Sequence, residues 1–397
     1  MRDSMKKVLF VESRRLCYGS SYYLIDRLSR FFKQKKIEVE FFDYDALCND
    51  PQKLETFSKK SFDAIFDINS QLPGIYQDDT LFLEQLDIPF FHRILDHPLH
   101  LHPSLQVPYQ KECVICLDEH HKRYLQKKYP HIHHVIALPF LAKVPEKQIP
   151  FSKRKYAFLF PATYIPLSYL EDQIKEQNAS DLLIAKEILS LCIQGSREDF
   201  ENLYQSLAKE DKKEMDAERI YRVRFVDRYV RAGLREFVLE QFASHDIVMD
   251  IVGDNWEYSQ LYKNKAFHFH PSCSYQESLS YIANAKTVLN VEPLFREAMH
   301  DRITNAFCCG AVVVSDPCEA LETNFTDRKE YLGYHFAQLK TQDSFWKLLQ
   351  TEEKLEEIAI TGQKKYRSLY AYENRMEMLL KELEKAVQAM KKIDKQS

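Results

Sequence analysis

Apolar residues in this chain fall into short continuous runs separated by longer stretches whose apolar positions recur at helical spacing. The runs are Val8-Leu9-Phe10-Val11, Val39–Phe42, Asp63–Ile68, Pro89–Leu95, Cys113–Leu117 and His134–Leu138. Runs of this length, rich in β-branched and aromatic residues, predict strands buried on both faces. Tyr22–Lys33 and the polar stretches between the later runs have the spacing of amphipathic helices. Strand and helix in alternation predict an α/β domain built on a parallel sheet, over residues 1–145. Lys143-Val-Pro-Glu-Lys-Gln-Ile-Pro150 is polar and carries two prolines, as a linker does. A second α/β domain is expected over 151–380, with strands at Tyr156–Phe160, Ile247–Val252, Lys286–Val291 and Ala311–Ser315. The charged stretch 168–243 reads as a helical insertion in it. Residues 381–397 read as a C-terminal helix and tail, fraying over Lys391–Ser397.

The densest local signal is Thr287–Asp316. Thr287–Val291 is a β-branched strand that Pro293 ends, because proline brings no backbone donor. A helix is expected to start near His300 or Asp301, with Asp301 as N-cap, and to stop at Gly310 before the apolar run Ala311–Val314. A helix entered from a parallel strand turns unpaired amides and partial positive charge toward the strand's carboxyl end, where anions bind. Arg302 adds a planar fork suited to phosphate oxygens, and Asn305 lies one turn further on, within reach of a ribose hydroxyl. The alternative is a solvated first turn with no ligand.

In order along the chain stand Gly253-Asp254-Asn255-Trp256, Ser274-Tyr275-Gln276-Glu277, Leu289-Asn290-Val291, His300-Asp301-Arg302 and Cys308-Cys309-Gly310. This series resembles the donor-binding half of bacterial GT-B glycosyltransferases, most closely the CgeB-like, spore-maturation-protein group. The resemblance implies two Rossmann-like domains facing across a cleft and a glycosyltransferase, metal-independent and without a cofactor. It implies a nucleotide sugar as donor substrate, with His300 and Arg302 at the diphosphate. Related retaining enzymes carry a Glu-x7-Glu pair, for the donor sugar and the ribose; here Glu297 and Asn305 stand at that spacing, an amide replacing the second acid. Gly19, in the turn Gly19-Ser20-Ser21 after the first strand, resembles the short glycine turn of such folds. Thr163, after the strand Tyr156–Phe160, and Tyr275 complete the expected donor contacts.

Acceptor chemistry falls to the first domain. His92–His102 holds four histidines and Asp96, and an Asp-His-Pro step at a strand end also matches the CgeB-like pattern. An imidazole or carboxylate there can take a proton from an acceptor hydroxyl, which makes Asp96 and His97 the candidate catalytic groups, with His100 behind them. The alternatives are a structural loop or a metal site. The pair Cys113/Cys116, followed by His120 and His121, raises the metal question again, but a strand sends the two thiols to opposite faces, and core cysteines are the expectation.

Composition narrows the classes. With 397 residues, 45% hydrophobic and 29% charged, the chain is too long for one core and has an ordinary globular balance. A net charge of −4 gives no nucleic-acid footprint, and nine cysteines read as reduced thiols of a cytoplasmic protein. Eight glycines form neither Gly-x-Gly-x-x-Gly nor Gly-x4-Gly-Lys-Ser/Thr, which disfavours dinucleotide oxidoreductases and P-loop enzymes. The basic run from Arg219 to Arg235 is a solvated face, or else it meets an acidic acceptor or a membrane surface. The functional alternative to a transferase is a non-catalytic GT-B scaffold that binds a nucleotide or a partner protein.

Overall fold

The structure is a computed structural model that describes residues 5–50, 61–70, 72–77, 79–140, 142–208, 215–292 and 296–393. Pro293 and the last four residues, on which two of the expectations above fall, lie outside them. The chain divides into two compact units. The first contains Met1–Pro139, the short segment Ser274–Gln276 and everything from Glu373 onward; the second contains Phe140–Cys273 and Glu277–Tyr372.

Six parallel strands form the first unit's sheet: β1 (Lys7–Glu12), β2 (Glu38–Asp43), β3 (Ala64–Ile68), β6 (Phe90–Arg93), β7 (Glu112–Cys116) and β8 (His134–Ala137). A two-stranded antiparallel hairpin, β4 (Tyr76–Gln77) with β5 (Thr80–Leu81), sits between β3 and β6 in the chain. The order in the sheet is β2-β1-β3-β6-β7-β8. Strands β3 and β7 are buried at every residue, the carboxyl-bearing Asp67 and Glu112 included. The helix Tyr372–Ile393 closes this unit: Lys391 Nζ lies 3.0 Å from Asp63 Oδ1, Glu377 pairs with Lys35, and Leu383 and Met390 are fully buried.

In the second unit, β9 (Tyr156–Pro161), β10 (Met249–Val252), β11 (Phe267–His270), β12 (Ala285–Asn290), β13 (Val312–Ser315) and β14 (Leu332–Gly333) run parallel in the order β11-β10-β9-β12-β13-β14. The chain winds outward in one direction through β10 and β11, then returns to β12 on the other side of β9. Between β9 and β12 the flanking loops diverge, and an open parallel sheet binds ligands beyond the strand carboxyl ends at that reversal. The insertion between β9 and β10 is helical: Leu167–Asn178, Asp181–Ile193, Phe200–Leu207, Ala217–Arg222 and Arg224–Ser244.

The seven cysteines whose side chains are described are free. Cys113 and Cys116 are buried on β7, and burial raises both thiols, that of Cys116 up to about 12. Neither is a thiolate near neutral pH, in keeping with a packing role.

Candidate functional site

The site candidate lies at the strand carboxyl ends of the second unit, on both sides of the reversal. Arg302, on the helix Asp301–Cys309, donates through Nε to the carbonyl of Pro161 at the end of β9 (2.9 Å) and through Nη1 to Asn290 Oδ1 at the end of β12 (2.5 Å). One buried guanidinium therefore ties together the two strands between which the winding reverses. Burial, with Arg235 close by, lowers Arg302 to about 10, so it remains charged at neutral pH. The two bonds leave Nη2. Asn290 is fixed in turn: its Nδ2 donates to Ser315 Oγ (3.0 Å), and its carbonyl accepts from the Tyr334 hydroxyl (2.8 Å). Two nitrogens of the fork expected to suit phosphate oxygens are thus engaged by the fold.

The helix starts at Asp301, within the expected bounds, while its cap differs from expectation by one residue. His300, not Asp301, is the N-cap. Its Nδ1 lies 2.7 Å from Asp301 Oδ1 and 3.2 Å from the Arg302 amide. Nδ1 serves one of these at a time: unprotonated it accepts from the Arg302 amide, and protonated it donates to the Asp301 carboxylate. Burial works against the Asp301 carboxylate, but His300, through charge and hydrogen bond, and then Arg302 outweigh it and hold the group at about 2. At the other end Gly310 takes the left-handed conformation (φ 68°), and Arg154 donates to the carbonyls of Cys309 (2.7 Å) and Gly310 (2.6 Å). Both ends of this helix are thus satisfied, as a rigid ligand platform needs.

A second layer of charge comes from the helix Arg224–Ser244. Arg231 Nε lies 3.1 Å from Asp227 Oδ2, Arg231 Nη1 lies 3.5 Å from Glu292 Oε1, and Arg235 Nη2 donates to Glu292 Oε2 at 2.9 Å. Arg235 Nη1 also donates to the Thr163 carbonyl (3.0 Å). Burial penalises the Glu292 charge, yet Arg231 and Arg235, then His300 and Arg302, hold it below the usual carboxylate range. The reading of the whole basic run as a solvated face is overturned at Arg231 and Arg235. What marked them in the sequence is their i, i+4 spacing, which puts two guanidinium groups on one helix face. Glu292 and Asp316 were not singled out by sequence. Asp316 Oδ1 accepts from the Glu292 amide (3.1 Å), and burial pushes its carboxyl up to about 7 despite that bond, with the Glu292 charge adding to the shift.

The loop after β9, which carries Thr163, is locked from β10. Gly253 has φ 156°, and a Cβ there would lie 2.3 Å from the Ala162 carbonyl oxygen. Trp256 Nε1 donates to that same oxygen (2.7 Å), and Asn255 Nδ2 donates to the Tyr164 carbonyl (3.1 Å). The Gly-x-x-Trp pattern is thus a clamp on the loop at the reversal.

Of the remaining expected donor residues, Asn305 is buried on the helix that begins with Asp301, and Glu297 is half-buried. The Glu297 stretch is tied to the helix Glu319–Asn324, whose Glu319 and Ala320 amides donate to the carbonyls of Arg296 and Glu297 (2.8 and 2.9 Å). The structure therefore gathers Thr163, His300, Arg302 and Asn305 into one unit around the β9–β12 reversal. Tyr275 is not among them: it belongs to the first unit, where its ring packs on Tyr23 at 5.3 Å. Gly19 is there too, left-handed (φ 77°) at the start of the helix Ser20–Gln34. Asp96, after β6, is exposed and accepts from Asn69 Nδ2 at 2.8 Å. His97 is buried, its Nδ1 accepts from the Leu99 amide (3.2 Å), and its ring packs on His121 and Tyr124 at 4.7 and 5.0 Å. His92, the one histidine before it, is fully buried, 3.7 Å from Asp67 and 3.4 Å from Glu112.

Two parallel doubly wound sheets in these orders make up a GT-B fold. Solved structures share it along almost the whole chain. Sucrose-phosphate synthase from Thermosynechococcus elongatus superposes with a TM-score of 0.55 at 11% identity, covering 95% of this chain and 99% of the other. HepE of Anabaena, in complex with UDP and glucose, gives 0.55 at 11% identity over 96% and 99%. An alpha-glucosyltransferase in complex with UDP gives 0.52 at 9% identity over 94% and 98%. At such identities the likeness establishes the fold. In sequence, residues 231–381 match the family described as glycosyl transferase-like, a stretch that starts at Arg231 and includes Asn290, Glu292, Arg302 and Asp316. No curated protein matches the chain.

Proposed function

We propose that this protein is a glycosyltransferase that moves a sugar from a nucleoside diphosphate sugar to a hydroxyl-bearing acceptor, a glycan, a lipid-linked sugar or a protein. The observation that carries this is Arg302 bridging the ends of β9 and β12 at the start of a well-capped helix, within the stretch that matches the glycosyl transferase-like family. In this reading the amides at the helix start, His300 and Arg302 Nη2 receive the diphosphate, and Arg231 and Arg235 hold the charge balance around Glu292. Stabilising the leaving diphosphate with prearranged positive groups is electrostatic catalysis, and it asks for no metal at the phosphates. Glu297 is assigned to the donor sugar and Asn305 to the ribose. On the acceptor side the exposed, Asn69-oriented Asp96 is the better candidate base than the buried His97. The motif series that resembles the CgeB-like group supports the same reading.

The test is thermal unfolding with UDP, GDP, ADP and TDP, on the wild type and on Arg302→Lys. One nucleotide is expected to raise the melting temperature, because a ligand that binds only the native state stabilises it. Arg302→Lys keeps the charge but cannot span Pro161 O and Asn290 Oδ1, so the ligand-induced shift should disappear, with a basal loss of about 1–3 kcal/mol from unmet acceptors. Absence of a shift with every nucleotide overturns the donor-site assignment. Asn305 in place of an acid keeps the binding-scaffold reading as the second one; cleavage of the matching nucleotide sugar by the wild type rules it out, and binding without any cleavage favours it.

A further inference from the structure

We propose that His97, His120 and His121 form a binding site for one divalent transition-metal cation of the zinc class. Neither sequence stretch alone contains this set. His97 follows β6 and His120 and His121 follow β7, two adjacent parallel strands, so the fold brings both groups to the same strand ends. One nitrogen from each of the three rings lies within 4.8 Å of the others. In a tetrahedral zinc site, with Zn–N distances of about 2.0–2.1 Å, ligand nitrogens stand about 3.4 Å apart. Small side-chain rotations close that difference.

Consecutive helical residues diverge by about 100°, so His120 and His121 do not form the i, i+4 pair of zinc helices. His97 completes the set from the other loop: its ring centroid is 4.7 Å from that of His121 and 6.1 Å from that of His120. His121 is held in place from behind. Asp118 caps its helix, accepting the His121 amide at 2.7 Å, and the same Oδ1 lies 3.8 Å from His121 Nδ1. At 3.8 Å the carboxylate acts on the ring by charge and not through a hydrogen bond, and a negative charge beside a ligating imidazole favours the bound cation. His97 and His121 are buried while His120 is half-buried, which leaves an approach for the ion and room for water as a fourth ligand.

Three neutral imidazoles with no oxygen ligand select zinc, cobalt, nickel or copper over calcium and magnesium. Cys116 does not join them, because its protonated thiol donates to the carbonyls of Asp118 and Ile136. Coordination through His97 Nε2 requires the proton on Nδ1 and so gives up the 3.2 Å contact with the Leu99 amide, a long neutral bond that a metal–nitrogen bond outweighs. This site belongs to the first unit and stands or falls independently of the proposed transferase activity.

The test uses the full chain without a histidine tag, stripped with a chelator and titrated with Co(II), then with Zn(II) in competition. One saturating equivalent of cobalt is expected, with visible ligand-field absorption that zinc abolishes. His120→Ala, at the half-buried position and checked for native circular dichroism, should weaken binding by more than the roughly 10–100-fold that loss of an outer-shell partner costs. His131→Ala, outside the set, should bind as the wild type does. Failure to take up one saturating equivalent, or equal affinity in His120→Ala and the wild type, overturns the site.

Discussion

Asp316 shows how one side chain sets a pH response. Its carboxyl is 7% exposed, beside Glu292, and keeps its proton up to about pH 7. In the unfolded chain an aspartate releases its proton near pH 4. Between those two values the native state binds a proton that the unfolded state has lost, so this group's contribution to stability falls as pH rises from about 4 through 7. Asp301 acts in the opposite sense: held at about 2, it contributes stability at neutral pH that is lost only in acid. Asp316→Asn keeps an oxygen to accept the Glu292 amide and removes the buried charge. We expect it to be more stable than the wild type near pH 8, by an amount of the order of 3 kcal/mol, and nearly equal to it near pH 4. Urea denaturation at the two pH values measures this; a difference that does not change with pH refutes it.

At the scale of elements, the loop after β9 is a part whose position is imposed from outside. Gly253→Ala would force a methyl group to 2.3 Å from the Ala162 oxygen, so β10 or the loop must shift. We expect a loss of more than about 2 kcal/mol in denaturant titrations, together with loss of any nucleotide-induced stabilisation, since Thr163 moves with the loop. Trp256→Phe removes the buried pyrrole half of the indole together with its hydrogen bond and leaves a cavity beside an unmet carbonyl, so about 2–4 kcal/mol is expected there. The Gly-x-x-Trp pattern was readable in the chain while its purpose was not, because its partners Ala162 and Tyr164 stand 94 and 91 residues from the groups that bind them. All six strands of the first sheet and four of the second were legible because continuous apolar runs have few other folded uses; β11, an edge strand that alternates Phe and His, and β14, two residues long, gave no such run. The N-cap was misplaced by one residue because a histidine can cap through Nδ1 as an aspartate does through its carboxylate. Arg231 and Arg235 looked like neighbours of the other arginines in their run, since what buries them is Glu292 at the end of a strand about 60 residues away.

On the scale of the whole molecule, the first unit is assembled from both ends of the described chain. Leu383 is fully exposed to none of the solvent, and Met376, Leu379, Val387 and Met390 are buried beside it on the same helix. Leu383→Ala should cost about 2–5 kcal/mol, the usual penalty for removing a large aliphatic group from a closed core. Limited proteolysis should then cut first within residues of the first unit; first cuts confined to the second unit would count against the assignment of this helix. No described helix is long and apolar enough to cross a membrane. The closing helix has a further consequence for how the protein is made. Strands β1 to β8 leave the ribosome early, yet the apolar surface that Leu383 and its neighbours cover stays bare until some 250 more residues have been translated. The second unit, by contrast, is contiguous apart from one three-residue segment and can fold as it emerges. Of the two units, the one synthesised earlier is completed later, and its apolar face stays open to aggregation in that interval.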